Sequence, residues 1–294
     1  MLVSLKEVFE IANRKRIAIG AFNVSNFESG KAILNAAEAE KTPVILNYAC
    51  VHAPYLSLED ASQIMLHLAH KATVPVCVHL DHGANFETCI QAIRLGFTSV
   101  MIDASSLSYE DNLKETMLVV RAAHSVGVTV EAELGHIFSS ETGMGKPIKA
   151  IETAESFDNL NDVYTNPQVA KDFVERTHVD ALAIAFGTSH GIYVKKPVLD
   201  LNRVAEVKKA IDIPLVMHGG SGLSKEEFQG AIRNGIRKIN YYTYMTLAGG
   251  KAVKKAMDEH KSDDNIFFHD IPGFAIEAME ENIKNTLRIF NNEV

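Results

Sequence analysis

Short apolar runs return along this chain about every 25 to 30 residues, and the stretches between them carry helical periodicity. The runs cover residues 17–24, 43–49, 75–80, 99–104, 128–134, 181–186, 214–217 and 236–240. They are compact, and the helical patterns between them suggest burial on both faces. Each therefore reads as a strand covered on both sides, as in a parallel sheet. Eight such strands alternating with helices predict an α/β fold, the closed (β/α)8 TIM barrel, which uses about 250 residues as one unit. Between the last two runs, SKEEFQGAIRNG puts Ser224 and Glu227 at capping-box spacing and Gly235 at the far end, predicting a helix and supporting the alternation.

The 294 residues are accordingly read as one barrel domain, 1–294. Two segments break its rhythm. Residues 136–166, with Gly143, Gly145 and Pro147, lack sustained periodicity and predict a long mobile loop, carrying a short helix at most, of the kind that acts as an active-site lid. From residue 271, Phe274, Ile276, Met279, Ile283, Leu287 and Phe290 fall at helical spacing. They predict a C-terminal helical extension packed on the barrel or on a partner, and we expect a homo-oligomer, a dimer or tetramer.

A hydrophobic content of 47% provides a core, and a net charge of −8 without a dense Lys/Arg run or an aromatic RNA motif argues against nucleic-acid binding. The first sixteen residues carry acids early and no sustained apolar stretch, so we expect no secretory signal, no membrane span and a cytoplasmic location. Cys50, Cys77 and Cys89 are odd in number and read as free thiols of a reducing compartment.

Three of the twelve histidines stand at or just past the ends of well-separated apolar runs: His82 in VCVHLDHG, His190 in ALAIAFGTSHG and His218 in PLVMHGGSG. The C-terminal ends of barrel strands share one face, so the three imidazoles can converge on one Zn²⁺ and leave a position open for substrate. His52, His67, His70, His124, His178 and His260 lie in helices or helix-flanking loops and read as ordinary surface or hydrogen-bonded side chains; His79 reads as a supporting residue of the barrel interior. Asp81, beside His82, is placed to exchange a proton with a substrate hydroxyl, or else to orient a histidine. Asp103, and Glu131 with Glu133 on one strand face, read as supporting groups, as barrel structure, or, for Asp103 and Glu133, as a possible second cation position. Gly219, Gly220, Ser221 and Gly222 lead into the Ser224 helix, and Asn240, Tyr241, Tyr242 and Thr243 follow the eighth run; loops in these two places are the usual phosphate site of this barrel.

AFNVSN, HLDHG, VEAELG, YTNP, GTSHGIY, HGGSG and KIN follow one another in sequence order, and this collective pattern resembles, from about Ala21 to Thr243, the class II, zinc-dependent fructose/tagatose-bisphosphate aldolases. The resemblance implies that His82, His190 and His218 bind the catalytic zinc and that Asp81 is the acid/base at the aldol hydroxyl. It implies that Glu141 protonates the enediolate carbon, and that Asn23, Gly191, Gly219, Gly220, Ser221, Asn240, Tyr241, Tyr242 and Thr243 hold dihydroxyacetone phosphate. The expected reaction is reversible cleavage of a phosphorylated ketose, fructose or tagatose 1,6-bisphosphate, to dihydroxyacetone phosphate and an aldehyde such as glyceraldehyde 3-phosphate. Three departures stand out. GHIFSSETGMG lacks the family's double glycine before the loop acid; Tyr241, Tyr242 and Tyr244 replace small or acidic residues; and FFHDIPGFAIEAM offers no arginine to a far phosphate, leaving Lys195, Lys196 or a partner's residue as donor. The competing readings are a metal-dependent hydrolase, which leaves the two phosphate-like loops unexplained, and a non-catalytic phosphosugar-binding barrel, which leaves Asp81 and the three histidines unexplained.

Overall fold

The computed structural model describes residues 1–141, 149–150, 159–193, 195–262 and 265–292, without the side chains of residues 140, 141, 149, 150 and 162. In chain order the first part comprises β1 (Leu2–Val3), α1 (Leu5–Lys15), β2 (Ile19–Asn23), α2 (Phe27–Ala39), β3 (Val44–Ala49), α3 (Leu58–Lys71), β4 (Val76–Gly83), α4 (Phe86–Arg94), β5 (Ser99–Ile102), α5 (Tyr109–His124) and β6 (Thr129–Leu134). There follow β7 (Phe138–Glu141), β8 (Lys149–Ala150), α6 (Pro167–Thr177), β9 (Ala181–Ile184), β10 (Ser189–His190), α7 (Leu201–Ala210), β11 (Leu215–Met217), α8 (Lys225–Asn234), β12 (Ile236–Tyr241), α9 (Thr243–Glu259) and α10 (Ile271–Phe290). Side-chain caps start most helices: Ser4, Asn26 and Ser224 close capping boxes, and Asn166 precedes a proline-initiated α6.

The eight predicted strands pair in parallel as β4-β3-β2-β12-β11-β9-β6-β5, and β5 returns to β4, closing the barrel. Register carries the chemistry. Asn23 faces Asn47, Asn47 faces His79 and His79 faces Ser99, so four polar residues stand at one level on neighbouring strands. An apolar cluster lines the rest of the bore: Ile19, Ala21, Ile45, Cys77, Ala181, Ala183 and Val216 pack on Leu5, Val8, Phe9 and Ala12 of α1, which plugs the bottom, and the buried pair Lys238 and Glu131 adjoins it through Ile19, Val216 and Ala181. A larger apolar layer binds the strands to the surrounding helices.

One region departs from expectation and one follows it. The segment after β6 was expected to hold no strand, yet its described part forms two: β7 runs parallel to β10 and antiparallel to β8, with a single 3-10 turn at Leu160–Asp162. The predicted terminal helix is α10, and Met279, Ile283, Leu287 and Phe290 bury its apolar stripe against the chain's own α9, α2 and α8. No helix among the described residues is long and apolar enough to cross a membrane.

Candidate active site

At the C-terminal mouth of the barrel, β4, β10 and the end of β11 bring His82, His190 and His218 together, with candidate ligand atoms all within 4.8 Å of one another. The local backbone is bent to achieve this. β4 slips register against β5 between Leu80 and Gly83, and within that irregularity His82 adopts a φ of 50°. A left-handed conformation at a non-glycine residue costs on the order of 1 kcal/mol, and such strain gathers at functional sites. Glycine is required opposite: Gly219 has a φ of 65°, and a Cβ there would lie 2.5 Å from the Ser189 carbonyl oxygen, in the strand that carries His190.

The donor set fits a divalent cation. His82 Nδ1 lies 2.7 Å from Asp103 Oδ2, and His218 Nε2 lies 2.8 Å from Glu131 Oε1. Carboxylates only accept, so each of these ring nitrogens carries its proton toward its acid. The opposite nitrogens, His82 Nε2 and His218 Nδ1, then face each other at 3.0 Å. Two lone pairs at that distance need a positive species between or beside them. Without a metal, a proton serves: burial opposes charge on His82, but Asp81, the Asp103 hydrogen bond and Glu133 outweigh it and push its pKa up to about 10. His218 is held well below its ordinary value by burial and by His82, and His190 is lowered to about 4 for the same two reasons. Neutral imidazoles are what a zinc site asks of its ligands.

Asp81 lies near the end of β4 beside this cluster, buried, with its Oδ1 accepting from Asn240 Nδ2 at 2.9 Å. Burial alone would raise its pKa, yet the fields of His82, His218, Lys238 and His190 hold it below the usual carboxylate value. Asp103 and Glu133 form a grouping with His82, as the second-cation reading requires, but Asp103 is engaged by His82 and by the Ser105 hydroxyl at 2.7 Å. Glu133 is pushed up to about 8 by burial and by Asp103. Beneath the histidines Lys238 Nζ meets Glu131 Oε2 at 2.8 Å, both side chains fully buried.

The expected phosphate loops also meet. Ser221 Oγ accepts from the backbone N–H groups of Tyr242 at 3.0 Å and Thr243 at 3.1 Å, tying the glycine loop after β11 to the N-terminus of α9, where helix N–H groups favour an anion. Gly220 N–H donates to the Asn240 carbonyl at 3.2 Å, and Gly191, with a φ of 89°, directly follows His190. Asn23 lies at the mouth, bonded to Asn47 at 3.4 Å and to His52 at 3.3 Å.

One placement differs from the sequence reading and two add to it. Tyr241 points outward, edge-on to Phe22 and tilted on Phe228, so strand alternation removes its ring from the mouth. His52, set aside as a helix-flanking residue, is buried at the mouth, 4.6 Å ring to ring from Tyr242; its position just past the end of a predicted strand is the criterion that singled out the other three. Lys196 forms an ion pair with Glu227 at 3.5 Å. Glu141 closes β7, opposite Lys149, and its side chain lies outside the described residues.

Comparison with known proteins agrees with this geometry. Residues 3–293 match the family model for class II fructose-bisphosphate aldolase. The chain is 38% identical to a fructose-bisphosphate aldolase of Thermus caldophilus over 99% of both chains, and 39% identical to the YdjI protein of Escherichia coli K12 over 88% of this chain and 89% of that one. The crystal structure of the YdjI aldolase superposes with a TM-score of 0.82, covering 99% of this chain and 97% of that one at 35% identity. With the closed barrel and its histidine-lined mouth, these likenesses show that the chain belongs to the class II fructose-bisphosphate aldolase family and is a lyase.

Proposed function

We propose that the protein catalyses reversible aldol cleavage of a phosphorylated ketose, with Zn²⁺ held by His82, His190 and His218. The observation that carries this reading is the buried Asp81 carboxylate, anchored by Asn240 and set against three converging imidazoles at the mouth that also holds the joined glycine loop and α9 N-terminus. The bound cation supplies Lewis-acid polarisation of the ketose carbonyl. The rest is work for side chains. Asn240 fixes one Asp81 oxygen, and the carboxylate removes the C4 hydroxyl proton. The C4–O bond becomes the aldehyde carbonyl as the C3–C4 bond breaks, and its electron pair passes to C3 as the enediolate. A proton delivered to C3, the role we assign to Glu141, completes dihydroxyacetone phosphate. Gly191, Gly219, Gly220, Ser221 and the 240–243 loop hold its phosphate, and Asn23 lines the approach.

We read residues 1–294 as one domain, and the three free thiols favour the cytoplasm. Asp103 and Glu133 act in this reading as supports for His82, since Asp103 already accepts the His82 Nδ1–H. Dihydroxyacetone phosphate release from fructose 1,6-bisphosphate and tagatose 1,6-bisphosphate, followed by a coupled assay with chelator and with zinc restored, tests the proposal. Chelator-sensitive release from either supports it and ranks the C4 configuration; no release from either overturns the bisphosphate substrate, and release unaffected by chelator overturns the metal.

A further inference from the structure

A lysine fully buried inside a barrel needs a reason, and Lys238 has a specific one. It enters the bore from β12, two residues before Asn240, and its ammonium binds Glu131 Oε2 at 2.8 Å. The other oxygen of the same carboxylate, Oε1, receives His218 Nε2 at 2.8 Å. A competitor stands alongside. His79 Nε2 lies 3.6 Å from Glu131 Oε2 and has no hydrogen-bond partner among the described residues, while its Nδ1 contacts the Ser99 hydroxyl at 2.8 Å. With Oε2 occupied by the lysine, the carboxylate has a single orientation and presents Oε1 to His218.

We propose that Lys238 is a positioning residue for the three-histidine cluster: by anchoring Glu131 it fixes His218 as the tautomer protonated at Nε2, which turns the Nδ1 lone pair toward His82 and His190. A carboxylate cannot donate, so the proton on this edge of the ring must belong to the histidine. The polar partner behind a histidine ligand selects which nitrogen binds metal, and such partners typically carry about 10- to 100-fold in metal affinity. The inference rests on the metal reading above and extends it one layer into the bore.

The arrangement makes an unusual prediction for Glu131→Gln. Lys238 demands an acceptor, so the amide turns its oxygen to the ammonium and its NH₂ to His218. The ring must then accept at Nε2 and carry its proton on Nδ1, facing the cluster. Adding Lys238→Met removes the demand. The amide turns over, its oxygen accepts from His218 Nε2, its NH₂ reaches toward His79 Nε2, and the productive tautomer returns.

The first experiment is nitrogen NMR of ring-labelled histidine in the metal-free wild-type protein near pH 8, with His218 assigned by substitution. A proton on Nε2 is expected; a proton on Nδ1 alone overturns the proposal without reference to any variant. The second is zinc affinity by chelator competition. Glu131→Gln should bind about 100-fold more weakly than wild type, and Glu131→Gln/Lys238→Met should return to within about tenfold. Wild-type affinity in the single variant, or a folded double variant no tighter than the single one, overturns the proposal. Failure of the metal reading looks different: wild-type protein itself then binds no zinc, whatever the His218 tautomer.

Discussion

The lower and upper halves of the barrel bore are made by the same strands and have opposite chemistry. Below, apolar side chains of β2, β3, β4, β9 and β11 meet Leu5, Val8, Phe9 and Ala12 of α1 in a plug. Above, the inward positions are Asn23, Asn47, His79, Asp81, Glu131, Glu133, Lys238 and Asn240, nearly all fully buried. Each polar group there costs free energy unless paired. Asn240 pairs with Asp81, Lys238 and His218 with Glu131 and Ser99 with His79, while Asn47 Oδ1, His79 Nε2, Glu133 Oε2 and Asn240 Oδ1 lack a hydrogen-bond partner among the described residues. One end of a barrel can thus secure the fold while the other sustains strain, as His82 does, for the sake of a site.

The sharpest way to separate the halves is Asp81→Ala, which should lower turnover by about 10²- to 10⁴-fold while leaving zinc content and thermal stability close to wild type; retained turnover removes Asp81 from its assigned role. The converse is Phe9→Ala in the plug, expected to cost about 3–5 kcal/mol of unfolding free energy in denaturant titration, with kcat per folded molecule unchanged. A marked fall in kcat would mean that the halves are mechanically coupled.

Metal loading should depend on pH in a defined direction. In the metal-free protein the fields of Asp81 and Asp103 keep His82 protonated up to about pH 10. Zinc must displace that proton, so apparent affinity rises by about tenfold per pH unit below that value, and about one proton is released per ion bound. Calorimetry in buffers of different ionisation enthalpy measures the number, and zero release contradicts the assigned protonation. Ser221→Ala should raise KM by about tenfold with little change in kcat, because the hydroxyl joins two loops and leaves the proton-transfer groups untouched. The smallest effect belongs to the thiols. Burial raises Cys77 and Cys89 to about 12, so both should resist a thiol reagent at pH 8 until the protein unfolds, whereas half-buried Cys50, raised less, reacts first.

Period and spacing determined a good deal by themselves. All eight barrel strands were legible because a strand covered on both faces is a short apolar run, and helix α8 because Ser224, Glu227 and Gly235 mark its ends. The three histidines were legible because strand ends share a face. Only the tertiary structure decided the rest. Strand β1 and the plug helix α1 escaped notice because what they cover is the bottom of the bore, a surface that exists only once the strands have closed. Strands β7 and β8 were missed because two to four residues carry no period, and their pairing depends on where β10 happens to lie. Tyr241 faces outward and His52 reaches the mouth for the same reason: inward or outward is a property of register and of the turn that follows, which hydrogen bonds to distant strands fix. Lys238 stands beside a second charge, Arg237, in the eighth run, and its meaning required Glu131, 107 positions away in sequence and 2.8 Å away across the barrel. Sequence pattern reports what each segment must bury, whereas the partner of a buried charge is set by closure of the sheet.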